Sequence, residues 1–390
     1  MSAQSVRIVV IGGGYAGVLA ANRLTQAGEV TLVNPRDEFV ERIRLHQLVV
    51  GNDDAVASYA SLLHPEVRLL VDGAERIDAN LRRVRLTSGA ELDYDYLVYA
   101  VGSTASAPAA VPGAAEFAYP LAEFEQATRL RRRLTDVPAQ APIVVVGGGL
   151  TGIEAAAEFA AAGRPVTMVT DILGPSLAPA GRRSVTKRLR ELGVTVVDAA
   201  RVIGLSAESV ELSGGRHLPS AATVWTAGFA VPGLAAASGL STDALGRLLV
   251  DETLTSVDDP RIVAAGDCAS PSNVPLRMSC QAAIPMGAQA ANTVLARIAG
   301  TDAAALSQAM TGQCISLGRT HGTIQLAHTD DTVRNLYIGG RTAGLIKEQV
   351  CRATLSFLGK EARKPGSYFW LKGGKRAEQL ARAGQPVPVR

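Results

Sequence analysis

The chain is poor in cysteine, in aromatics and in net charge. Its four cysteines, Cys268, Cys280, Cys314 and Cys351, include no pair two or three residues apart. That spacing excludes C-x-x-C metal and dithiol motifs, so no metal is expected. Each thiol is expected to be a buried packing residue. No apolar run approaches the roughly 18–20 residues that span a bilayer. The first apolar run begins at Val6, which leaves no room for a signal peptide ahead of it. A cytoplasmic protein is therefore the expectation. The net charge is +3, which by itself says little, and no nucleic-acid partner is expected.

What is present is a globular composition, 47% apolar over 390 residues, long enough for two or three cores. Within it one motif occurs twice. Val6-Arg7-Ile8-Val9-Val10-Ile11 runs into Gly12-Gly13-Gly14-Tyr15-Ala16-Gly17, and Ile143-Val144-Val145-Val146 runs into Gly147-Gly148-Gly149-Leu150-Thr151-Gly152. Each reads as a buried strand, a G-x-G-x-x-G turn and a helix, the context that gives the pattern meaning. The glycines let backbone approach a pyrophosphate, and the helix N-terminus supplies N–H groups and positive potential. Two such turns imply two dinucleotides and electron transfer between them.

The first unit continues through the helical stretch after Gly17, Gly28, and the strand Val30-Thr31-Leu32-Val33, a βαβ unit of a doubly wound parallel sheet. Residues 66–103 read as an antiparallel meander beginning with Val67-Arg68-Leu69-Leu70-Val71, and then the strand Tyr96–Val101 ending on Gly102-Ser103. A Pro- and Ala-rich linker is read at 105–114. The second half repeats the plan: a βαβ at 143–170, a meander at 194–225, then Thr226-Ala227-Gly228. Arg261-Ile262-Val263-Ala264-Ala265 then closes on Gly266-Asp267. A helix is expected at about 280–298, an antiparallel unit at 312–340 and a helix near 344–358.

This ordered set resembles the two-dinucleotide-binding-domain flavoproteins of the pyridine nucleotide–disulfide reductase superfamily. The resemblance implies an α/β fold of two interleaved Rossmann-like domains with a C-terminal α+β portion. It implies an FAD domain from 1–112 and 248–304, a NAD(P)H domain from 113–247, and a C-terminal portion at 305–390. It assigns Gly12, Gly14, Tyr15, Ala16, Gly17, Asn34, Gly102 and Asp267 to FAD. Gly147, Gly149, Gly152, Thr170 and Gly228 go to NAD(P)H, with hydride passing from nicotinamide to flavin. Disulfide reductases carry a redox cysteine pair soon after the first βαβ unit, and here Phe39–Gln47 contains none. Disulfide chemistry needs an attacking thiolate, so that branch is set aside.

The chain looks most like type II NADH dehydrogenases and their apoptosis-inducing-factor-like relatives. Ser279–Gly287 resembles the Ala-Gln-x-Ala-x-Gln-Gln-Gly segment that lies near the quinone. Gln281, Ala283 and Gly287 agree, while Pro285 and Met286 replace the later glutamines. A small-molecule acceptor, with a quinone first, is the expectation, and Gln281 is a catalytic candidate. A ferredoxin-like-protein reductase, a biosynthetic flavoenzyme and a redox sensor remain alternatives.

Several residues depart from the pattern. Asn34 stands where an acid usually accepts hydrogen bonds from a ribose diol, a role its side-chain carbonyl can partly fill. Thr170 stands at the second such position, with Asp171 beside it and Arg182 and Arg183 downstream as partners for a 2′-phosphate. The choice between NADH and NADPH stays open. The resemblance puts Glu154 beside the nicotinamide, as hydrogen-bond acceptor or proton relay, against the alternative of a first-turn acid favoured by the helix dipole. Arg42, Arg44 and His46 are candidates for an anionic or carbonyl-rich acceptor pocket, or for surface ion pairs.

Residues 341–390 carry 11 Lys+Arg against 3 Asp+Glu. Aromatics are only 4% of the chain, yet Tyr368-Phe369-Trp370 are consecutive in this basic tail. Ile346, Val350, Ala353, Thr354 and Phe357 share one helical face ahead of them. A peripheral contact with the inner face of a membrane, a lid over the flavin domain and a homodimer contact all fit.

Overall fold

The structure, a computed structural model, describes residues 5–105 and 109–385. Part of the expected linker, 106–108, lies outside the described residues.

Two five-stranded parallel sheets organise the molecule. In the first the order is Ile262–Ala264, Tyr96–Tyr99, Arg7–Ile11, Glu29–Asn34, Arg68–Val71. In the second it is Ala118–Pro120, Ala222–Trp225, Ile143–Val146, Val166–Val169, Thr195–Val197. The central strands are apolar runs buried on both faces, as parallel strands covered by helices must be. The duplication extends to sheet order, with one difference. The outer strand Ile262–Ala264 reaches the first sheet only after the whole second unit, whereas Ala118–Pro120 precedes its own unit. The two chain crossings pair with each other, Thr104 and Ala230 exchanging backbone hydrogen bonds at 2.8 and 3.0 Å.

Two strands differ from the sequence expectation. Arg68–Val71 and Thr195–Val197 are not meander strands but parallel edge strands, paired with Glu29–Asn34 and Val166–Val169. Enough chain precedes each for a crossover connection, which parallel pairing needs. The meanders proper are Ala74–Asp78, Arg83–Leu86, Glu91–Asp93 and Val202–Leu205, Ser209–Leu212, His217–Pro219.

The helix Leu45–Val50 links the units. It follows the first βαβ unit in sequence, yet Leu45, Leu48 and Val49 pack into the second unit's core with Ile153 and Phe159. The helix Cys280–Ile298 packs on Tyr15–Leu24. A Cβ on Gly287 would lie 2.3 Å from the Ala16 carbonyl oxygen, so only glycine permits this approach. Pro285 sits inside that helix and has no N–H for the Gln281 carbonyl. The Gln308 side chain donates to that carbonyl instead, at 2.9 Å.

The C-terminal portion is an antiparallel sheet, Gly312–Ser316, Gly322–Ala327 and Val333–Gly339, followed by the helix Gly340–Arg363. That helix is longer than expected, and it buries Ala343, Cys351, Thr354, Leu358, Glu361 and Ala362. Ile346, Val350 and Phe357 face outward instead. Arg23 Nε meets Glu361 Oε1 at 2.6 Å in the interior. Tyr368 stacks on Trp370, whose Nε1 donates to Ser307 O at 2.9 Å, while Phe369 is 84% exposed. The aromatic tail thus packs back on the protein through two rings and presents the third.

Candidate functional site

The first glycine turn combines tight backbone contacts with one open position. A Cβ on Gly12 (φ +102°) would fall 2.3 Å from Ala100 O, and one on Gly17 would fall 1.8 Å from Gly12 O. A Cβ on Gly14 would meet nothing within 4 Å. Gly12 and Gly17 are therefore demanded by the fold, whereas the space at Gly14 is left for a ligand. Gly14 is the N-cap of Tyr15–Leu24 and offers no capping side chain, and the first intrahelical bond is Val18 N–H to Gly14 O. The N–H groups of Tyr15, Ala16 and Gly17 are left to a phosphate.

The cleft above this turn holds about 350 Å³ and is lined by Gly12–Gly14, Asn34, Arg42, Gly102 and Ser103 among others. Asn34 braces the turn: its Oδ1 accepts from Gly13 N at 2.9 Å and its Nδ2 donates to Arg36 O at 2.8 Å. Tyr59 donates to Gly13 O from the other side, at 2.7 Å. Farther along, Arg42 Nη1 donates to Ser103 Oγ at 3.0 Å, and Ser103 Oγ donates to Asp267 Oδ2 at 2.7 Å. Burial pulls the Arg42 pKa down, opposed by Asp267. Gly102 (φ +70°) and Gly266 (φ +82°) take left-handed backbone that glycine adopts without strain. Asp267 is thereby brought to the cleft from far along the chain. These residues fit a dinucleotide: a glycine cradle, open N–H groups, and polar groups beyond.

The second turn has the same division of labour. A Cβ on Gly152 would lie 2.0 Å from Gly147 O, and one on Gly147 (φ +114°) 2.8 Å from Thr226 Oγ1, while Gly149 is open. Leu150, Thr151 and Gly152 keep their N–H groups free, the first intrahelical bond being Ile153 N–H to Gly149 O. Thr170 is buried, and its hydroxyl donates to Ile172 O at 2.9 Å, so it faces the turn rather than solvent. Exposed charges at this strand end include Asp171 and Arg201, 3.6 Å apart. Gly228 (φ +85°) borders open space.

Glu154 is held by a residue from the far end of the chain. Lys347 Nζ lies 3.1 Å from Glu154 Oε1, and that oxygen also accepts from Ser316 N at 2.8 Å. Burial lowers the Lys347 pKa, but Glu154 and the neighbouring thiols outweigh it, so the ammonium stays protonated. Buried His46 nearby is pushed down to about 4 by desolvation. Gln281 is tied to the segment before the C-terminal sheet: in the orientation that satisfies its carboxamide, it accepts from Thr311 N at 3.2 Å and donates to Gly312 O at 3.1 Å.

The sequence reading missed Lys347, Tyr59 and Ser103. Lys347 does carry a signal, since it stands four residues from both Ala343 and Cys351 on the buried stripe of its helix. The thiols also differ from expectation. Cys268 and Cys351 are buried, while Cys280 and Cys314 are only half-buried. Among the described residues no group of side chains is arranged to hold a metal ion, and no helix is long and apolar enough to cross a membrane.

Comparison with known proteins agrees with this architecture. The family model for pyridine nucleotide-disulphide oxidoreductases matches residues 6–291. A NADH dehydrogenase-like protein of Mycobacterium tuberculosis is 33% identical over 320 residues, covering 74% of this chain and 80% of that protein. The alternative NAD(P)H-ubiquinone oxidoreductase C1 of Arabidopsis thaliana is 27% identical over 344 residues, covering 73% and 64%. The structure of NDH2 from Plasmodium falciparum in complex with NADH superposes with a TM-score of 0.78 at 16% identity, covering 94% of this chain and all of that one. With two glycine turns of one construction on two parallel sheets, and a family match spanning both, the chain belongs to the pyridine nucleotide-disulphide oxidoreductases, a family that binds FAD and a nicotinamide nucleotide.

Proposed function

We propose that this chain is an NAD(P)H dehydrogenase that delivers electrons to a quinone. The FAD unit comprises 1–112 and 248–304, the nicotinamide unit 113–247, and 305–390 is the C-terminal portion, whose described residues pack against both. Bound FAD supplies the two-electron chemistry that joins a reduced nicotinamide to a second acceptor.

The protein's own residues bind, orient and hold charge. The N–H groups of Tyr15, Ala16 and Gly17 take one pyrophosphate, and those of Leu150, Thr151 and Gly152 take the other. Asn34 and Thr170 stiffen the two turns, while Gly102, Ser103 and Asp267 hold the remainder of the flavin nucleotide. Gly228 leaves room for the nicotinamide arm. Glu154, fixed by Lys347 and Ser316 N–H, presents its second carboxylate oxygen to the nicotinamide carboxamide. Gln281 supports the 311–312 segment that walls the site. The observation that carries this reading is the pair of turns, alike in which glycines the fold demands and which it leaves open.

The quinone is supported by the name of the Arabidopsis relative and by Gln281, Ala283 and Gly287. The outward apolar residues Leu345, Ile346, Val350 and Phe357, together with exposed Phe369 and the basic tail, support a peripheral contact with anionic lipid. Co-sedimentation with anionic vesicles tests that contact. An anaerobic titration tests the main reading: the flavin absorbance should bleach with NADH or NADPH and return when a quinone is added. No bleaching with either nucleotide would sink the reading, and bleaching without return would remove the quinone.

A further inference from the structure

The cleft above the first glycine turn is walled from both units. Asn34, Pro35 and Arg36 line it from the first unit. Ala122, Glu123 and Phe124 line it from the second, where the helix Phe124–Asp136 begins. Three first-unit side chains hold that second wall in place. Arg42 Nε donates to Ala122 O at 2.9 Å, and the Thr104 hydroxyl donates to the Glu123 carboxylate. Arg36 meets Glu125 with a two-bond fork, Nε to Oε1 at 2.6 Å and Nη2 to Oε2 at 2.5 Å. A planar guanidinium and a carboxylate match in this geometry, which makes it a strong and directional contact.

The Arg36–Glu125 tie lies at the rim. Its side chains are 31% and 59% exposed, whereas Asn34, in the same cleft, is 7% exposed. The base of the tie is fixed to the glycine turn. Asn34 Nδ2 donates to Arg36 O while its Oδ1 accepts from Gly13 N, so one carboxamide braces both. The other end stands in the first turn of a helix, where a carboxylate is favoured. Their mutual hydrogen bond raises the Arg36 pKa and lowers that of Glu125, so both stay charged at neutral pH.

Glu125 also has an alternative partner. It borders a surface cavity of about 580 Å³, together with Phe124, Arg129 and Arg132. Arg129 follows Glu125 by four residues, and an acid ahead of a base at that spacing attracts it along a helix. Here Arg129 is engaged more weakly, over the Tyr119 ring at 4.8 Å and to Glu116 O at 3.2 Å. A turn of the Glu125 side chain can therefore exchange a tie across the cleft for one along its own helix. Phe124 borders both spaces.

We infer that Arg36 and Glu125 form a latch across the rim of this cleft that sets how fast FAD leaves it, with Arg129 receiving Glu125 when the latch opens. The inference rests on the assignment of FAD to this cleft and adds the residues that control its release. Both are retaining residues, remote in role from the transfer of electrons.

The test is the rate of FAD release from the holoprotein, followed as the rise in flavin fluorescence after a dilution large enough to prevent rebinding. Arg36→Gln and Glu125→Gln should each speed release about fivefold, the upper end for an exposed pair. The double variant should be no faster than either single one. The exchange Arg36→Glu/Glu125→Arg should bring the rate most of the way back. Added salt should speed wild-type release more than that of Arg36→Gln. Arg129→Gln removes the receiving partner and should slow release below the wild type. Unchanged rates in both single variants, or effects that add in the double variant, would overturn the latch. Release from Arg129→Gln as fast as from the wild type would overturn the role of Arg129. Flavin uptake by the wild type and its loss in Gly14→Ala check the cleft assignment separately. With both in hand, unchanged release rates defeat the latch alone, whereas flavin retained by Gly14→Ala defeats the assignment.

Discussion

The two glycine turns share a design and differ in their surroundings. Around the first, Asn34 and Tyr59 clamp Gly13 from both sides, and Arg42, Ser103 and Asp267 continue the cleft. Around the second, Thr170 folds under the turn, and the strand end offers the exposed pair Asp171 and Arg201. A resident cofactor is suited by a walled cleft with many converging segments. A substrate nucleotide that must leave each cycle is suited by an open one. The difference arises from chain order: the first sheet receives its last strand, Ile262–Ala264, after the second unit is complete, and Gly266-Asp267 arrives with it.

The largest effects should separate the fold-bound glycines from the open ones. Gly17→Val or Gly152→Val places carbon against a backbone carbonyl, and overpacking of this severity should cost about 3 kcal/mol or more. Little folded protein is expected in expression trials. Gly14→Ala and Gly149→Ala have room and ordinary φ values of −81° and −70°. Both should melt near the wild type, the first without flavin absorbance and the second with flavin that NADH no longer bleaches. Equal loss of stability in all four would break the comparison.

Lys347→Met should come next. It leaves the largely buried Glu154 carboxylate without its cation, and breaking a buried pair costs about 3–5 kcal/mol. The partial exposure of both side chains puts the expectation at the low end. Denaturant melts should show Lys347→Met/Glu154→Gln regaining most of the loss.

The helix that joins the units supplies a pH test. His46 is neutral when buried, with its pKa near 4 rather than 6.5. The unfolded chain binds the proton first, so stability falls as pH drops from about 6.5 toward 4, by up to roughly 3 kcal/mol. His46→Gln should flatten the thermal midpoint over that interval. An unchanged slope would show that other groups control it.

The smallest effect concerns the open turn. The Asp171–Arg201 pair is exposed, and such pairs contribute about 0–1 kcal/mol, so Arg201 is free to meet a 2′-phosphate. Arg201→Ala should lower kcat/KM for NADPH relative to NADH, and Asp171→Ala should raise it, each by about tenfold. A ratio unmoved by either change would shift nucleotide choice to Arg182 and Arg183.

The parts legible in the sequence are those governed by local geometry. Gly12, Gly17, Gly147 and Gly152 are readable because a strand–turn–helix of this tightness admits no Cβ. The apolar runs that form the central strands are readable because burial on both faces leaves no polar positions. Arg68–Val71 misled because strand direction is decided by the partner strand and not by the run itself. Cys280 and Cys314 misled because scarcity says nothing about which wall a thiol lines.

By itself the sequence determined the two dinucleotide turns, their order and the family, since those depend on residues close together in the chain. Only the tertiary structure decided that Lys347 meets Glu154, that Gln308 serves the carbonyl freed by Pro285, and that Arg44 reaches Glu348. Each of those depends on segments far apart in sequence, and Coulomb and hydrogen-bond energies act across space rather than along the chain.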